Sequence, residues 1–307
     1  MIVRDKPGPA QLLFALRGSV LPRIKWPLLG LVLLSAGMVA VDHRYGVLQH
    51  SNSTPFAVFG VALSLFLGFR NNAAYDRWWE ARKLWGGLLA DLRSFARDVA
   101  VFVPDAALRE RLLRLALAFV HLHRANLRGL KDDAAAAGFV ARCLPGTTSL
   151  TSAAAPPFVV PCAALDAMAA AIAGAHRSAG IDGFAARALT TRLGSLAAQQ
   201  AGCERIATTP LPYVYSLLIF RTIYLYCLLI PLALIEPAGW LTPLFVGIVA
   251  YVFLGLAEVT EDLAHPFGPT LNGLPLDALC RAVEISLAPH LGEVPPAPLQ
   301  PVDFVLT

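Results

Sequence analysis

Apolar and charged positions separate along this chain into four runs fit for lipid and one long interval fit for water. The runs are residues 26–41, 55–69, 214–235 and 240–257. The first lies between Lys25 and Asp42 and is short for a bilayer core of about 30 Å, which takes about 20 residues. Ile24 and a snorkelling Lys25 extend it. The second is shorter still, which is tolerated where one end faces protein or water. The third carries Arg221, which at membrane depth must face protein, water or the interface; snorkelling to the interface is the simpler case. Residues 236–239 are a tight turn.

Residues 70–213 contain no further span. Arg, Ala and Leu recur there at helical spacing over 70–102 and 105–127, with Pro104 as the break and Asp105 as the cap. Helical spacing returns over 163–173 and 181–207, the latter opened by the turn Gly180-Ile181-Asp182-Gly183. Residues 142–161, with Pro145, Gly146, Pro156, Pro157 and Pro161, read as a loop. Thr208-Thr209-Pro210 reads as a cap and proline leading into the third run. After the fourth come the acidic residues Glu258, Glu261 and Asp262, a loop, and a short helix over 275–287. The tail from Pro289 is rich in proline and reads as extended or disordered. Near the N-terminus, Leu12, Leu13, Phe14 and Leu16 suggest a short interfacial helix.

The second run continues without a break into the charged, tryptophan-rich 70–86. Thr54 suits an N-cap and Pro55 the first helical position. Asn52-Ser53-Thr54 is also a formal glycosylation sequon, but a helix start is the simpler account. That start would place the positive end of a helix dipole at Thr54 and Pro55, favouring anions. Val61, Leu65 and Phe69 are four apart and share a face. Gly60 and Gly68 permit close helix approach. On spacing alone the Val61/Leu65/Phe69 row is ordinary packing or lipid-facing surface.

Composition agrees with a membrane protein. The 307 residues are 56% hydrophobic and 15% charged, against roughly 45–50% and 25% in soluble domains, and mean hydropathy is +0.59. A net charge of +4 gives no reason to expect nucleic acid. The five cysteines, Cys143, Cys162, Cys203, Cys227 and Cys280, show neither CxxC nor Cys/His ligand spacing, so no disulfide framework, metal or cofactor is expected. No cleavable signal peptide is expected. Basic residues crowd the first 25 positions (Arg4, Lys6, Arg17, Arg23, Lys25), whereas 42–54 holds only Arg44 and 236–239 holds none. Both termini and 70–213 are therefore expected in the cytoplasm. The latter carries seventeen basic and eleven acidic residues, a weak attraction for anions. No GxSxG, Walker or HExxH pattern marks an enzyme, and His121 and His123, two apart, read as helix-surface residues without a carboxylate partner. No inverted repeat marks a secondary transporter. A non-conducting scaffold stays open.

The expected fold is an all-α membrane protein, four transmembrane helices per protomer plus a helical cytoplasmic domain. Its segments are 1–25 (interfacial), 26–69 (first two spans), 70–213 (cytoplasmic), 214–257 (last two spans), 258–288 (cytoplasmic packing segment) and 289–307 (tail). Four short spans leave little room for a water-filled path inside one protomer. A ring of copies, each turning one helix to a shared axis, is the economical solution. Val61, Leu65 and Phe69 would then form stacked hydrophobic rings able to gate by dewetting.

Three blocks resemble the bestrophin family, and specifically its bacterial members. They are Phe66-Leu67-Gly68-Phe69-Arg70-Asn71-Asn72 with Tyr75, Arg77 and Glu80-Ala81-Arg82-Lys83-Leu84-Trp85-Gly86; Gly202-Cys203-Glu204-Arg205-Ile206-Ala207-Thr208-Thr209-Pro210-Leu211-Pro212; and Pro266-Phe267-Gly268 with Asn272 and Leu274-Pro275-Leu276. The resemblance covers roughly residues 1–290. It implies a homopentameric ion channel of the bacterial inner membrane, contacting lipid and passing small monovalent ions. Chloride is the expected ion and sodium the alternative, since family members differ. It implies a pore neck at Val61, Leu65 and Phe69. It also implies a cytoplasmic constriction near Ile181 and Phe184, with Phe184 the better candidate. Calcium-activated members carry an acidic cluster before Pro-Phe-Gly. Here the segment is Glu261-Asp262-Leu263-Ala264-His265, too poor in carboxylates for a site wanting six to eight oxygens, so calcium gating there is not expected.

Overall fold

The computed structural model describes residues 1–3, 8, 11, 15, 18–46, 52–130, 133–143 and 159–307. The expected interfacial helix at Leu12, Leu13, Phe14 and Leu16, and most of the expected 142–161 loop, lie outside them. The described residues are helical apart from connections and isolated bridges. Three stretches are long and apolar enough to cross a membrane: Leu21–Tyr45, Ser53–Phe102 and Tyr213–Ala264.

Helix α1 (Leu21–Tyr45) is longer than the apolar run that announces it. Ser19 Oγ accepts from Leu21 N at 3.1 Å, and the helix ends at Gly46, whose φ of +58° suits glycine. α2 (Ser53–Phe102) is one uninterrupted helix. Its first N–H groups are met by Asn52, whose Oδ1 accepts from Thr54 N at 2.9 Å. The cap therefore falls at Asn52 and not at Thr54, and Pro55 lies inside the first turn, where it costs no intrahelical bond. α3 (Ala106–Leu127) starts where expected, Asp105 accepting from Ala107 N. α4 (Ala134–Cys143) and α5 (Val159–Arg177) follow, then α6 (Gly183–Thr208), capped by Asp182.

Thr208-Thr209-Pro210 ends α6 instead of opening the next helix. The Thr208 hydroxyl donates back to Glu204 O at 2.8 Å, and α7 (Tyr213–Ala238) starts only after Pro212. Gly239, at φ +51°, and a 3₁₀ turn (Gly239–Leu241) divide the third apolar stretch into α7 and α8 (Thr242–Ala264). α8 takes in Glu258, Glu261 and Asp262, which are thus helical. α9 (Leu276–Leu287) completes the set.

The chain forms two compact units. The first comprises Arg4–Trp78 and Pro210–His265, the second Met1–Val3, Trp79–Thr209 and Pro266–Thr307. The change from apolar to charged sequence after Phe69 and the unit boundary after Trp78 are thus different positions on α2. In the first unit Ile24 and Leu31 of α1, Leu63 and Leu67 of α2, Ile219, Ile223 and Ile230 of α7 and Val246 and Ala250 of α8 form one buried cluster. Gly60 lets α2 approach α7, since a Cβ there would lie 2.5 Å from Tyr226 Oη; Gly68 meets nothing within 4 Å.

The second unit is built around α3, buried from Leu115 to Ala125. The tail is extended, as expected, but ordered: Leu306 N donates to Met1 O, Val3 N to Phe304 O and Ala278 N to Thr307 O. It opens with a short 3₁₀ turn (Ala288–Leu291), in which Pro289 sits at the start, where its missing N–H costs nothing. Beyond Gly292 the closely spaced prolines leave too few N–H groups for a helix, while the residues after them still pair.

Candidate pore-lining faces

Val61, Leu65 and Phe69 are 63%, 59% and 68% exposed on the protomer. The face opposite them holds the first unit together. Leu63 and Leu67 are buried in its core, and Arg70 turns inward, donating from Nη2 to Ser216 Oγ of α7 and to Glu261 Oε2 of α8, both at 2.9 Å. Asn71 Oδ1 accepts from Thr260 Oγ1 at 3.3 Å, and Arg77 Nε donates to Ala264 O at 2.7 Å. Successive helical residues are about 100° apart, so these ties fix the rotation of α2 and with it the outward aim of the 61/65/69 row.

All of these ties except Ser216 land on the last two turns of α8. Arg23 of α1 reaches the same place, 2.7 Å from Asp262 Oδ1 and 3.6 Å from Glu258 Oε2. Each acidic residue of that segment therefore faces a guanidinium. Only Asp262 of the three is buried, and a carboxylate leaving water needs such a partner, because an unpaired charge costs several kcal/mol there.

In the second unit Phe184 is 85% exposed in the first turn of α6. Asp182 Oδ1 accepts from Ala185 N at 2.7 Å and so sets the direction in which α6 begins. Ile181 precedes the helix and is buried, its carbonyl 3.3 Å from His176 Nδ1. Leu189, Leu193, Leu196, Cys203 and Ile206 form the buried side of α6. Gly202 lies against Leu84 of α2, where a Cβ would come within 2.7 Å of Cδ2, and Arg205 is ion-paired with Glu80.

The surface assignment of His121 and His123 is overturned. Both are buried in α3. His121 Nε2 lies 2.8 Å from Glu284 Oε1, whose other oxygen is 3.0 Å from Arg281 Nε. Burial alone would raise the Glu284 carboxyl, but the His121 hydrogen bond and charge, with Arg281, hold it below the ordinary value. His123 is stacked between Trp85 (centroids 5.5 Å apart) and Phe119 (5.9 Å). Burial pushes its imidazole down to about 3, so it is neutral near pH 7. The reading failed because two residues' separation sets their relative direction and says nothing of what surrounds α3. Arg124 pairs with Asp133 and Asp277, and Arg128 with Asp277 at 2.8 Å. Cys162, Cys203, Cys227 and Cys280 are free thiols, and burial pushes Cys203 and Cys280 up to about 12. Among the described residues no group of His, Cys, Asp and Glu is placed to hold a metal ion.

A helical membrane protein with an outward apolar row beside an arginine-locked helix end is the class these features define. Residues 1–289 match the family described as Bacterial/Fungal Bestrophin protein, and the chain belongs to that family. It is 45% identical to a voltage-dependent anion channel-forming protein of Mesorhizobium japonicum, over 99% of this chain and 96% of that one. A voltage-dependent anion channel-forming protein of Escherichia coli K12 is 37% identical, covering 94% and 93%. The crystal structure of a bacterial bestrophin homologue from Klebsiella pneumoniae superposes with a TM-score of 0.80 at 32% identity, covering 89% of this chain and all of that one.

Proposed function

We propose that this chain forms a homopentameric anion channel in the bacterial inner membrane, chloride being the ordinary permeant ion. Each protomer crosses four times, through α1, the first half of α2, α7 and α8. Both termini and the interval 70–213 lie in the cytoplasm, as the excess of Lys and Arg favours. Val61, Leu65 and Phe69 of each copy face the axis as a neck that opens by wetting, with Thr54 and Pro55 near its outer mouth. Phe184 forms the cytoplasmic constriction, with Ile181 just before it in the chain. The observation that carries this reading is the outward row on a helix whose other side is locked by Arg70, Asn71 and Arg77. The channel-forming relatives just described supply the ion class.

Planar-bilayer recording of the purified full-length chain in a chloride salt gradient tests it. Reversal close to the chloride equilibrium potential is expected. Reversal on the cation side would refute the anion assignment, and absence of current would refute the channel. Replacing Val61, Leu65 and Phe69 together with alanine should raise open probability. Calcium should leave the currents unchanged, since arginines already occupy the acidic end of α8.

A further inference from the structure

A neck lined by valine, leucine and phenylalanine lowers the passage of both ion signs alike, so discrimination between them must come from elsewhere. The exposed face of α6 carries the charge that could supply it. At about 100° per residue, Phe184, Arg187, Thr191, Ala198 and Arg205 fall within an arc of roughly 60°, and all are exposed. Between the two arginines this face shows only short, uncharged side chains. Arg205 is met by Glu80. Arg187 forms no ion pair or hydrogen bond through its guanidinium with any described residue, whereas Arg114, Arg124, Arg128 and Arg192 of the same unit are paired. Arg97, Arg111 and Arg177 are likewise unpaired among the described residues, but they lie on other helices and not on the Phe184 face of α6. The nearest carboxylate along the chain, Asp182, is turned aside by its bond to Ala185 N.

We propose that Arg187 is the residue that determines ion sign in this channel. The inference rests on the reading of α6 as pore-lining. If Phe184 rings the cytoplasmic constriction, Arg187 lies about 4.5 Å further along the helix and contributes one guanidinium per copy to a second ring. Rings of arginine favour anions, and a confined patch of one sign raises the local concentration of its counter-ion about ten-fold or more. The neck then decides whether ions pass, and Arg187 decides which.

The test is the reversal potential in a chloride salt gradient for wild type, R187Q, R187E and R187K, with R177Q removing an exposed charge of the same sign from α5. R187Q should lower the anion-to-cation permeability ratio about ten-fold, R187E should invert the preference, and R187K should keep it. Open probability should not change, and R177Q should match wild type. Wild-type-like selectivity in R187Q overturns the inference while leaving the channel reading intact, and an equal shift in R177Q reduces the effect to general surface charge and overturns it too. Wild type without current, or with cation selectivity, removes the reading on which it rests. Should R187Q fail to assemble, R187C treated with positively or negatively charged methanethiosulfonate gives the same comparison within one channel. Opposite shifts, absent from treated wild type, support the proposal, and equal ones refute it.

Discussion

Phe69 and Phe184 are both large aromatic residues left uncovered by their own protomer, yet their exposure carries different information. Lipid tails are as apolar as a phenylalanine ring, so exposure in the first unit is nearly free. It tells which way α2 faces and little else. In the second unit the same exposure forgoes roughly 1.5–3 kcal/mol of burial. Polar groups show the reverse contrast. In the first unit they gather at one end of α8 and tie α1, α2 and α7 to it. In the second they enter the helical core, as with buried His121, His123 and Arg124 and mostly buried Arg128. One sequence thus meets two solvents, and the informative residue type changes with the solvent.

The largest test of that contrast is Asp277→Ala. It leaves Arg124 with Asp133 alone and Arg128 without this carboxylate, both guanidinium groups being mostly buried, and should destabilise the second unit by about 3 kcal/mol, read as unfolding of the detergent-solubilised chain. A loss within the error of measurement would mean that these pairs are solvated in solution.

Acid should act next, and through the second unit. Above pH 6.5 His123 is neutral whether folded or unfolded, so stability does not depend on it. Between 6.5 and about 3 the unfolded chain takes up a proton that the folded one refuses. Stability then falls as pH falls, by up to about 1.4 kcal/mol per pH unit. His123→Phe should flatten that slope; an unchanged slope would assign it to other groups.

The smallest effect belongs to the first unit. Gly60→Ala drives a methyl into Tyr226 and should cost about 1–3 kcal/mol. Gly68→Ala meets nothing within the protomer and should gain up to about 1 kcal/mol in helix propensity. Equal losses at both positions would mean that the Gly68 side of α2 is covered in the assembled protein.

Much of this architecture could be read from residue order alone. Apolar runs, Pro104, the cap at Asp105 and the turn at 180–183 are local signals; the runs mark what lipid or the core can cover, and the proline and the aspartate mark element ends by removing or satisfying a backbone N–H. The outward row was isolated by its spacing of four, though spacing could not say which way it faced. That needed Arg70, whose partners Ser216 and Glu261 are remote in the chain. The Thr208-Pro210 signal misled, since threonine before proline serves the end of one helix as readily as the start of another. His121 and His123 misled for a further reason: a helix with polar residues on several faces looks exposed until carboxylates and aromatic rings from other helices are known to surround it.

The amino-acid order by itself determined that this protein is helical, that lipid receives part of it, and where most helices begin and end, because hydrophobic run length and capping act over a few neighbouring residues. Only the tertiary structure decided which face of each helix is covered, which carboxylate each arginine meets, and that the proline-rich tail is docked, because those depend on groups brought together from positions far apart in the chain.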